Sequence, residues 1–292
     1  MSQLTQVSGT AAATAFLRGL AAHDPREDIR GQDTLAEVFL DGEQRQLLTN
    51  PTARARAMQQ LATGAYEFML ARTAFFDQIF VQALRDQVAQ IVLLGAGYDS
   101  RAYRFADVLQ AMCVFEVDAP PTQQRKRDLL QAANVFIPPQ VSFVAIDFET
   151  EDLREVLSAA GFDQTQRTMI IWEGVSYYLS AAAVDNVLAC ITALTPAGSS
   201  LAFDYAAISA EVLSDTGVQD FRKLMQARHG DEPARFYLRT GAIDSFLSER
   251  GFRIVEHLTA DDMTERYLAP QHYPDSGRVS PLFCFVQAEI VK

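Results

Sequence analysis

The apolar residues divide the chain into a helical first part and an alternating second part. Up to about residue 85 they recur at helical spacing, which predicts helices over 8–22, 35–40, from 51 onwards and over 62–84. From residue 90 short apolar runs alternate with helical segments. This predicts strands at 91–94, 112–117, 141–146, 168–172, 200–204, 252–257 and 282–289, and helices at 100–110, 121–133, 151–160, 181–194 and 241–250. Such alternation is typical of a parallel sheet with helices on both faces.

A polar, helix-like segment at about 208–238 interrupts this alternation. It contains Phe221, Met225, Arg228, His229, Arg235 and Arg239, and we expect it to lie over the carboxyl edge of the sheet. The chain is therefore expected to form one domain over 1–292. Its parts are a helical cap at 1–85, a Rossmann-like core at 86–207, an insertion at 208–240 and the end of the core at 241–292. Ser180 and Thr240 are predicted N-caps, and Gly161 and Gly251 stand where helix C-caps belong.

Composition and charge limit the classes of binding partner that we expect. The 292 residues are 49% hydrophobic and carry a net charge of −12, so a large core is expected and neither nucleic acid nor an anionic membrane is expected to bind. The run Arg125-Lys126-Arg127 is interpreted as a solvated helix face. The first residues lack a signal-peptide pattern, and no apolar stretch reaches the ~20 residues of a membrane span. A cytoplasmic protein is expected.

The cysteines indicate neither disulfides nor a metal site. Cys113, Cys190 and Cys284 are far apart, and each stands in an apolar run. We therefore expect three buried, reduced thiols and no structural zinc.

A glycine turn follows the first predicted strand. Gly95-Ala96-Gly97 comes directly after Ile91-Val92-Leu93-Leu94, and a helical segment follows it. Glycine permits a sharp turn and a close approach of the backbone to a ligand. A strand, a glycine turn and a helix in succession place an adenosine-containing cofactor at the carboxyl edge of a parallel sheet. The spacing alone is a weak signal, because Ser100 stands where a third glycine or alanine is usual.

Acidic residues end the next three strands, at the edge where open α/β sheets bind ligands. Asp118 is placed to accept the ribose hydroxyls, whereas the neighbouring Glu116 could point away from the ligand. Asp147 could accept the adenine amino group, with Phe148 beside it, or could simply cap the next helix. Glu173 ends an apolar strand and is expected to face the site. Tyr177 and Tyr178, which follow Glu173, could be site residues or ordinary rim aromatics.

These motifs together resemble the leucine carboxyl methyltransferase family, and more closely its bacterial branch of S-adenosylmethionine-dependent O-methyltransferases. The similarity is carried by LGAGYDSRAYRF, FEVDAPPTQQRKRDLL, AIDFETEDL and WEGVSYYLS, and extends over nearly the whole chain. It implies a class I methyltransferase fold, with a seven-stranded, mostly parallel sheet whose last strand is antiparallel, and a helical cap. Tyr98 and Ser100 depart from the usual GAGLDTR, and neither change should affect cofactor binding.

The resemblance also implies roles for single residues. Gly95, Ala96 and Gly97 would line the methionine and ribose part of S-adenosylmethionine, and Glu116 is included among the cofactor contacts. Asp118 would bind the ribose, and Asp147 and Phe148 the adenine. Glu173 would lie near the methionine amino group. Arg72 would reach the cofactor carboxylate from the cap, with Arg18 as a second candidate, and Tyr178 would face the acceptor.

The methyl acceptor is expected to be a small molecule bearing a carboxyl or hydroxyl group, in a natural-product pathway of the polyketide type. A carboxylate is already ionised, whereas a hydroxyl could need a base, for which His229 is the candidate. Arg228, Arg235 and Arg239 could hold an acidic acceptor or could pair with acids of the protein itself. The alternatives are methylation of a protein C-terminal carboxylate and non-catalytic cofactor binding. An NAD-dependent oxidoreductase ranks below these, because no Ser/Tyr/Lys pattern accompanies the glycines.

Overall fold

The computed structural model describes residues 7–228, 233–275 and 277–291. Its first part is helical, with 3-10 turns at Glu27–Ile29 and Thr34–Phe39 between the helices. The helices are α1 (Gly9–Ala22), α2 (Gly42–Thr49), α3 (Pro51–Gln59) and α4 (Ala65–Arg85). Ser8, Asp41 and Asn50 cap the first three through their side chains, and Pro51 occupies the first turn of α3.

The remainder forms the sheet and its covering helices. The strands are β1 (Gln90–Leu94), β2 (Cys113–Asp118), β3 (Val141–Ala145), β4 (Thr168–Trp172), β5 (Ser200–Ile208), β6 (Leu238–Arg239), β7 (Phe252–Leu258) and β8 (Phe283–Ile290). The helices are α5 (Arg101–Arg104), α6 (Pro120–Ala132), α7 (Leu153–Ala159), α8 (Ala181–Leu194), α9 (Ala210–Ser214), α10 (Thr216–Arg228), α11 (Ile243–Ser248) and α12 (Ala260–Tyr267). Further 3-10 turns span Ala106–Val108 and Ser176–Tyr178.

The sheet has the order β3-β2-β1-β4-β5-β8-β7. The first five strands of this path pair in parallel, and β8 runs antiparallel to both β5 and β7. The expected seven-stranded sheet with an antiparallel last strand is thus confirmed. A short additional strand, β6, pairs with the end of β5 and was not predicted.

Both faces of the sheet are buried, as the apolar run of β1 predicted. Ile91 and Leu93 belong to the core shared with α4, whereas Val92 and Leu94 belong to the core shared with α8. On the α4 side, Phe75 stacks on Phe285 with ring centroids 4.9 Å apart. The aromatic residues of α4 therefore anchor the helical cap to the sheet and fix the position of Arg72 on the same helix.

Two expectations about helices need correction. The segment expected to be one helix over 100–110 is a short helix followed by a 3-10 turn. Thr240 does not cap α11, because its backbone N–H donates to Ile208 O at the β5–β6 edge and Ala242 occupies the N-cap.

Expectations about burial need correction at three residues. Cys113 is exposed, since it begins β2 at the rim of the sheet, and Cys190 is only half-buried, whereas Cys284 is buried as expected. Lys126 is buried rather than solvated, because it pairs with Glu116 beneath the sheet edge.

The expectations about two helix caps and about membrane spans are confirmed for the described residues. Ser180 caps α8 by accepting the backbone N–H of Ala183 at 3.2 Å, and Gly161 follows α7 with a φ of +89°. None of the described helices is both long and apolar enough to cross a membrane.

Candidate active site

The glycine turn after β1 packs against the end of β2 and against the loop after β4. The backbone N–H groups of Gly95 and Ala96 both donate to Val117 O, at 2.8 and 3.0 Å, which fixes the turn against the end of β2. Gly95 has a φ of +67°, and a Cβ at this position would overlap Val175. A side chain here would be strained and would displace the loop after β4, so glycine is required.

Asp118 is held at the end of β2 by backbone donors. Its Oδ2 accepts from the N–H of Gly97, and its Oδ1 accepts from the N–H of Ala119 at 2.6 Å. The carboxylate therefore faces the glycine turn with a fixed orientation. Such an acid at the second strand is suited to accept hydroxyl groups of a ribose.

A cavity of about 560 Å³, here the glycine cavity, lies above the carboxyl ends of β1, β2 and β4. It contains eight of the site residues predicted from the sequence. They are Arg72, Gly95, Ala96, Gly97, Asp118, Phe148, Glu173 and Tyr178. Arg18, the uncertain candidate, lines it as well. The structure therefore brings together residues that are widely separated in the chain.

Three arginines surround Glu173, which lines this cavity. Arg18 Nη2 contacts Glu173 Oε1, Arg72 Nε lies 3.1 Å from the same oxygen, and Arg101 Nη1 lies 2.7 Å from Oε2. Burial would raise the pKa of Glu173, but the charges of Arg101, Arg18 and Arg72 lower this pKa to about 2. Glu173 is thus a carboxylate at neutral pH.

Asp204 is a second buried acid of the site, and the sequence analysis missed it. Its Oδ1 accepts the N–H of Gly174 at 2.6 Å, and its Oδ2 lies 3.6 Å from Arg72 Nη1. Burial raises its pKa to about 6, even though Arg72 favours the charged form. An aspartate within the apolar run of β5 was the signal that could have identified it, since buried acids are rarely without a partner.

The buried arginines keep hydrogen-bonding capacity for a ligand. Arg18 Nε has no hydrogen-bond partner among the described residues, and Arg72 Nε approaches Glu173 without an aligned hydrogen bond. Both side chains line the glycine cavity. Since buried donors are normally satisfied, this end of the cavity fits an anionic group such as a carboxylate.

Two of the predicted residues, Glu116 and Asp147, do not line the glycine cavity. Glu116 is buried away from the glycine cavity, with Oε2 at 2.7 Å from Lys126 Nζ and Oε1 accepting from Tyr103 at 2.9 Å. The placement matches the alternative that Glu116 points away: residues 116 and 118 would share a face of a regular strand, but Asp118 ends β2 at the turn, where this periodicity no longer applies. Asp147 does not line the cavity either, and its Oδ1 accepts the N–H of Glu149 at 3.0 Å. His229 lies outside the described residues.

A second cavity of about 820 Å³, here the apolar cavity, adjoins the first. The two share Thr10, Thr14, Arg72, Tyr177, Tyr178 and Pro233. Its other walls include Phe68 and Met69 of α4, Phe221 and Met225 of α10, and Phe283 of β8. Arg72 and the two tyrosines thus stand at the junction between the cavities.

Helix α1 forms a wall of both cavities, and of its residues the sequence analysis names only Arg18 as a candidate contact. Thr10 and Thr14 line each of them, and Thr14 Oγ1 accepts from Arg72 Nη2 at 3.3 Å. The alanine-rich sequence of α1 explains its close approach, since the Ala11 Cβ comes within 3.4 Å of where a Cβ on Gly97 would lie. Small side chains therefore leave the space beside the glycine turn open.

Comparison with known proteins identifies the family. The family model for leucine carboxyl methyltransferases matches residues 11–192. A candidate S-adenosyl-L-methionine-dependent methyltransferase of Bacillus subtilis (strain 168), YktD, is 31% identical over 200 residues, which are 68% of this chain and 66% of YktD. A candidate of the same type from Mycobacterium avium (strain 104) is 34% identical over 226 residues, 75% of this chain and 72% of the relative. The chain thus spans about two thirds of the length of these relatives.

Solved structures share the fold at low identity. A DUF574 family protein of Streptomyces avermitilis superposes with a TM-score of 0.57 at 15% identity, covering 95% of this chain and 97% of that one. A candidate methyltransferase of Thermobifida fusca gives a TM-score of 0.56 at 15% identity, covering 96% and 94%. With the sequence matches, these findings show that the chain belongs to the leucine carboxyl methyltransferase family and is an S-adenosylmethionine-dependent methyltransferase.

Proposed function

We propose that the protein is an O-methyltransferase that esterifies a carboxylate of a small molecule, with natural-product acids among the acceptors. The observation that carries this proposal is the composition of the apolar cavity. Among its described lining residues there is no aspartate, glutamate or histidine, and the charged ones are Arg72, Arg222 and Lys223. A hydroxyl acceptor would need a group to take its proton, whereas a carboxylate needs none at neutral pH.

In this proposal the glycine cavity holds the cofactor. Asp118 accepts the ribose hydroxyls, Phe148 lies beside the adenine, and Gly95 and Gly97 leave room for the backbone to approach. Arg18 and Arg72 bind the carboxylate of the methionine part, and Glu173 accepts from its ammonium group. Two observations support this placement of the methionine part. The Nε–H groups of Arg18 and Arg72 have no hydrogen-bond partner among the described residues, and Glu173 is ionised.

The chemistry is an in-line displacement. When bound, S-adenosylmethionine supplies an electrophilic methyl group on a sulfonium. A carboxylate oxygen of the acceptor forms the new O–CH₃ bond while the S–CH₃ bond breaks, and the electron pair of that bond stays on sulfur. No proton moves. The protein contributes position and exclusion of water, since charge is lost as donor and acceptor react.

Tyr177 and Tyr178 lie where the two cavities meet, and methyl transfer would occur there. The Tyr177 hydroxyl lies 3.3 Å from Arg72 Nη1 and 3.5 Å from Asp204 Oδ2, so it braces the arginine. Tyr178 lines both cavities, with its ring against that of Tyr177 at a centroid distance of 4.8 Å. We assign Tyr178 the contact with the acceptor and Tyr177 a positioning role.

The chemical class of the product tests the proposal. Transfer of the tritiated methyl group from S-adenosylmethionine to a panel of small acids and phenols should label the acids. The label should then be released as methanol by mild alkali, which cleaves methyl esters and leaves methyl ethers intact. Alkali-stable label on phenols would refute carboxyl methylation. Label confined to protein in a cell lysate would favour the alternative, a protein C-terminal carboxylate.

A further inference from the structure

The apolar cavity is lined mainly by apolar residues, of which the larger ones are aromatic or long aliphatic. Phe283 connects its walls, because its ring stacks on Phe68 at 4.2 Å and meets the edge of Phe221 at 5.5 Å. Leu17, Met69, Met225, Tyr237 and Leu282 complete the apolar surface. The volume of about 820 Å³ is within the range of cavities that enclose drug-sized ligands, and exceeds what a two- or four-carbon acid would fill.

The charge of this cavity differs from that of the whole chain. The protein has a net charge of −12, yet every charged side chain among the described residues lining the cavity is a cation. Arg72 is at the inner end, where the glycine cavity begins, and Arg222 and Lys223 are on α10. Arg72 also pairs with Glu173 and Asp204. Lys223 is 75% exposed and lies 3.3 Å from Asp220 Oδ1. The charges therefore favour an anion modestly, and the apolar walls contribute the larger part of the selectivity.

Part of the wall of this cavity lies outside the part of the chain that the family model matches. The match covers 11–192, whereas α10, Tyr237 and β8 come after it. The residues of the glycine turn and the strand ends from β1 to β4 fall inside it. The walls that α10, Tyr237 and β8 contribute are thus separate from the segments that carry the family's cofactor motifs, whereas the walls from α4 lie within the match.

We propose that the apolar cavity takes a bulky apolar acid, with a fused-ring or biaryl body, and that Phe221 and Met225 of α10 determine this specificity. The inference rests on the proposed function, because it assigns the acceptor of that same site. The acid group lies toward Arg72 and Tyr178, where the two cavities meet. The ring system packs against Phe221 of α10 and Phe283, whose rings meet edge to face 5.5 Å apart and together provide face and edge contacts.

Binding of defined probes to the protein saturated with S-adenosylhomocysteine tests this assignment without turnover. The probes are 2-naphthoate and biphenyl-4-carboxylate, compared with succinate, neutral 2-naphthamide and the peptide N-acetyl-Ala-Ala-Leu. Calorimetry should show the aromatic acids binding at least about tenfold more tightly than succinate, from the apolar area they bury. Equal or tighter binding of succinate or the peptide would overturn the assignment.

Two substitutions on α10 localise the site. Phe221→Ala removes an aromatic wall and Met225→Trp fills part of the space, and each should weaken 2-naphthoate binding by about fivefold or more. Phe136→Ala is the matched control, because Phe136 is 69% exposed and does not line this cavity. All three variants should bind S-adenosylhomocysteine as the wild type does. Unchanged 2-naphthoate affinity in both α10 variants would refute the inference.

The two proposals fail in different ways. If no acid is methylated although 2-naphthoate binds in the apolar cavity, the proposed function is wrong, and the cavity remains a binding site for aromatic acids but not for the methyl acceptor. If short acids are methylated as efficiently as the aromatic ones, the proposed function stands and the acceptor class is wrong.

Discussion

Arg72 and Glu173 form a buried ion pair in the wall of the glycine cavity. Arg72 Nε on α4 lies 3.1 Å from Glu173 Oε1 after β4, and the two side chains are 5% and 7% exposed. The pair joins the helical cap to the sheet. A buried pair of this kind is costly to break, because removing one partner leaves the other charged and desolvated.

Replacement of Arg72 should reduce both stability and cofactor affinity. Arg72→Ala leaves Glu173 and Asp204 without this cation, and should lower the free energy of unfolding by about 3–5 kcal/mol. Arg72→Lys keeps the charge and should lower it less, while still weakening S-adenosylhomocysteine binding by about tenfold through loss of the guanidinium fork. Denaturant unfolding and calorimetry measure the two effects. Wild-type affinity in Arg72→Lys would rule out the fork as a cofactor contact.

Asp118 and Asp147 should differ in their effect on cofactor binding. Asp118 lines the glycine cavity and Asp147 does not. Asp118→Asn should weaken S-adenosylhomocysteine binding by about 1–3 kcal/mol, through loss of a charged acceptor. Asp147→Asn is the matched control, and its affinity should stay close to that of the wild type. A larger loss in Asp147→Asn than in Asp118→Asn would reverse the assignment of ribose and adenine contacts.

The ionisation of Asp204 should make stability depend on pH. Burial raises its pKa from 3.8 to about 6, so the folded chain binds this proton more tightly than the unfolded chain. Ionisation of Asp204 therefore lowers the free energy of unfolding by about 3 kcal/mol as the pH rises from about 4 to about 6. Asp204→Asn removes this dependence, and the difference between variant and wild type should move in favour of the variant across that window. Urea unfolding at several pH values measures it; a constant difference from pH 4 to pH 6 would contradict the shift.

The buried pair of Glu116 and Lys126 should be structural rather than catalytic. Both side chains are 1% exposed, and their charged atoms are 2.7 Å apart. Lys126→Met should lower the free energy of unfolding by about 3–5 kcal/mol, and adding Glu116→Gln should recover part of the loss. Arg127→Met, on the exposed side of the same helix, is the control. S-adenosylhomocysteine affinity should be unchanged in the folded double variant; a large loss would restore Glu116 as a cofactor contact.

His229 tests whether the reaction uses a base. If the acceptor is a carboxylate, His229→Ala should retain kcat/KM within about threefold, because no proton has to be removed. A hydroxyl acceptor that depends on His229 should instead lose about 10²-fold or more in kcat/KM. Steady-state kinetics on the best acceptor from the acid and phenol panel measures the difference.

The sequence predicted those parts of the fold and site that depend on local pattern. The strand ends and the glycine turn could be predicted because apolar runs, acidic residues and glycines follow one another closely in the sequence. Gly95, Asp118 and Glu173 could therefore be placed at one edge from the amino-acid order alone. Their common position follows from a general property of parallel sheets, whose carboxyl ends meet.

What the sequence could not provide depends on contacts between distant segments. Lys126 stands in the sequence as one of three adjacent cations, and its burial follows only from the position of Glu116 on β2. Asp204 joins the site because β5 lies next to β4, where Gly174 presents its N–H. The place of α1 against the glycine turn likewise requires the tertiary arrangement. Local periodicity carries no information about such pairings.

Because Arg72 lines both cavities, we expect the binding of one ligand to affect the binding of the other. A ligand in one cavity changes the hydrogen bonds and the charge environment of Arg72. A ligand in the other cavity contacts the same side chain. The effect must be mutual, since a donor that strengthens acceptor binding is itself bound more tightly by the same factor. Affinities measured for either ligand therefore have meaning only when the occupancy of the neighbouring cavity is stated.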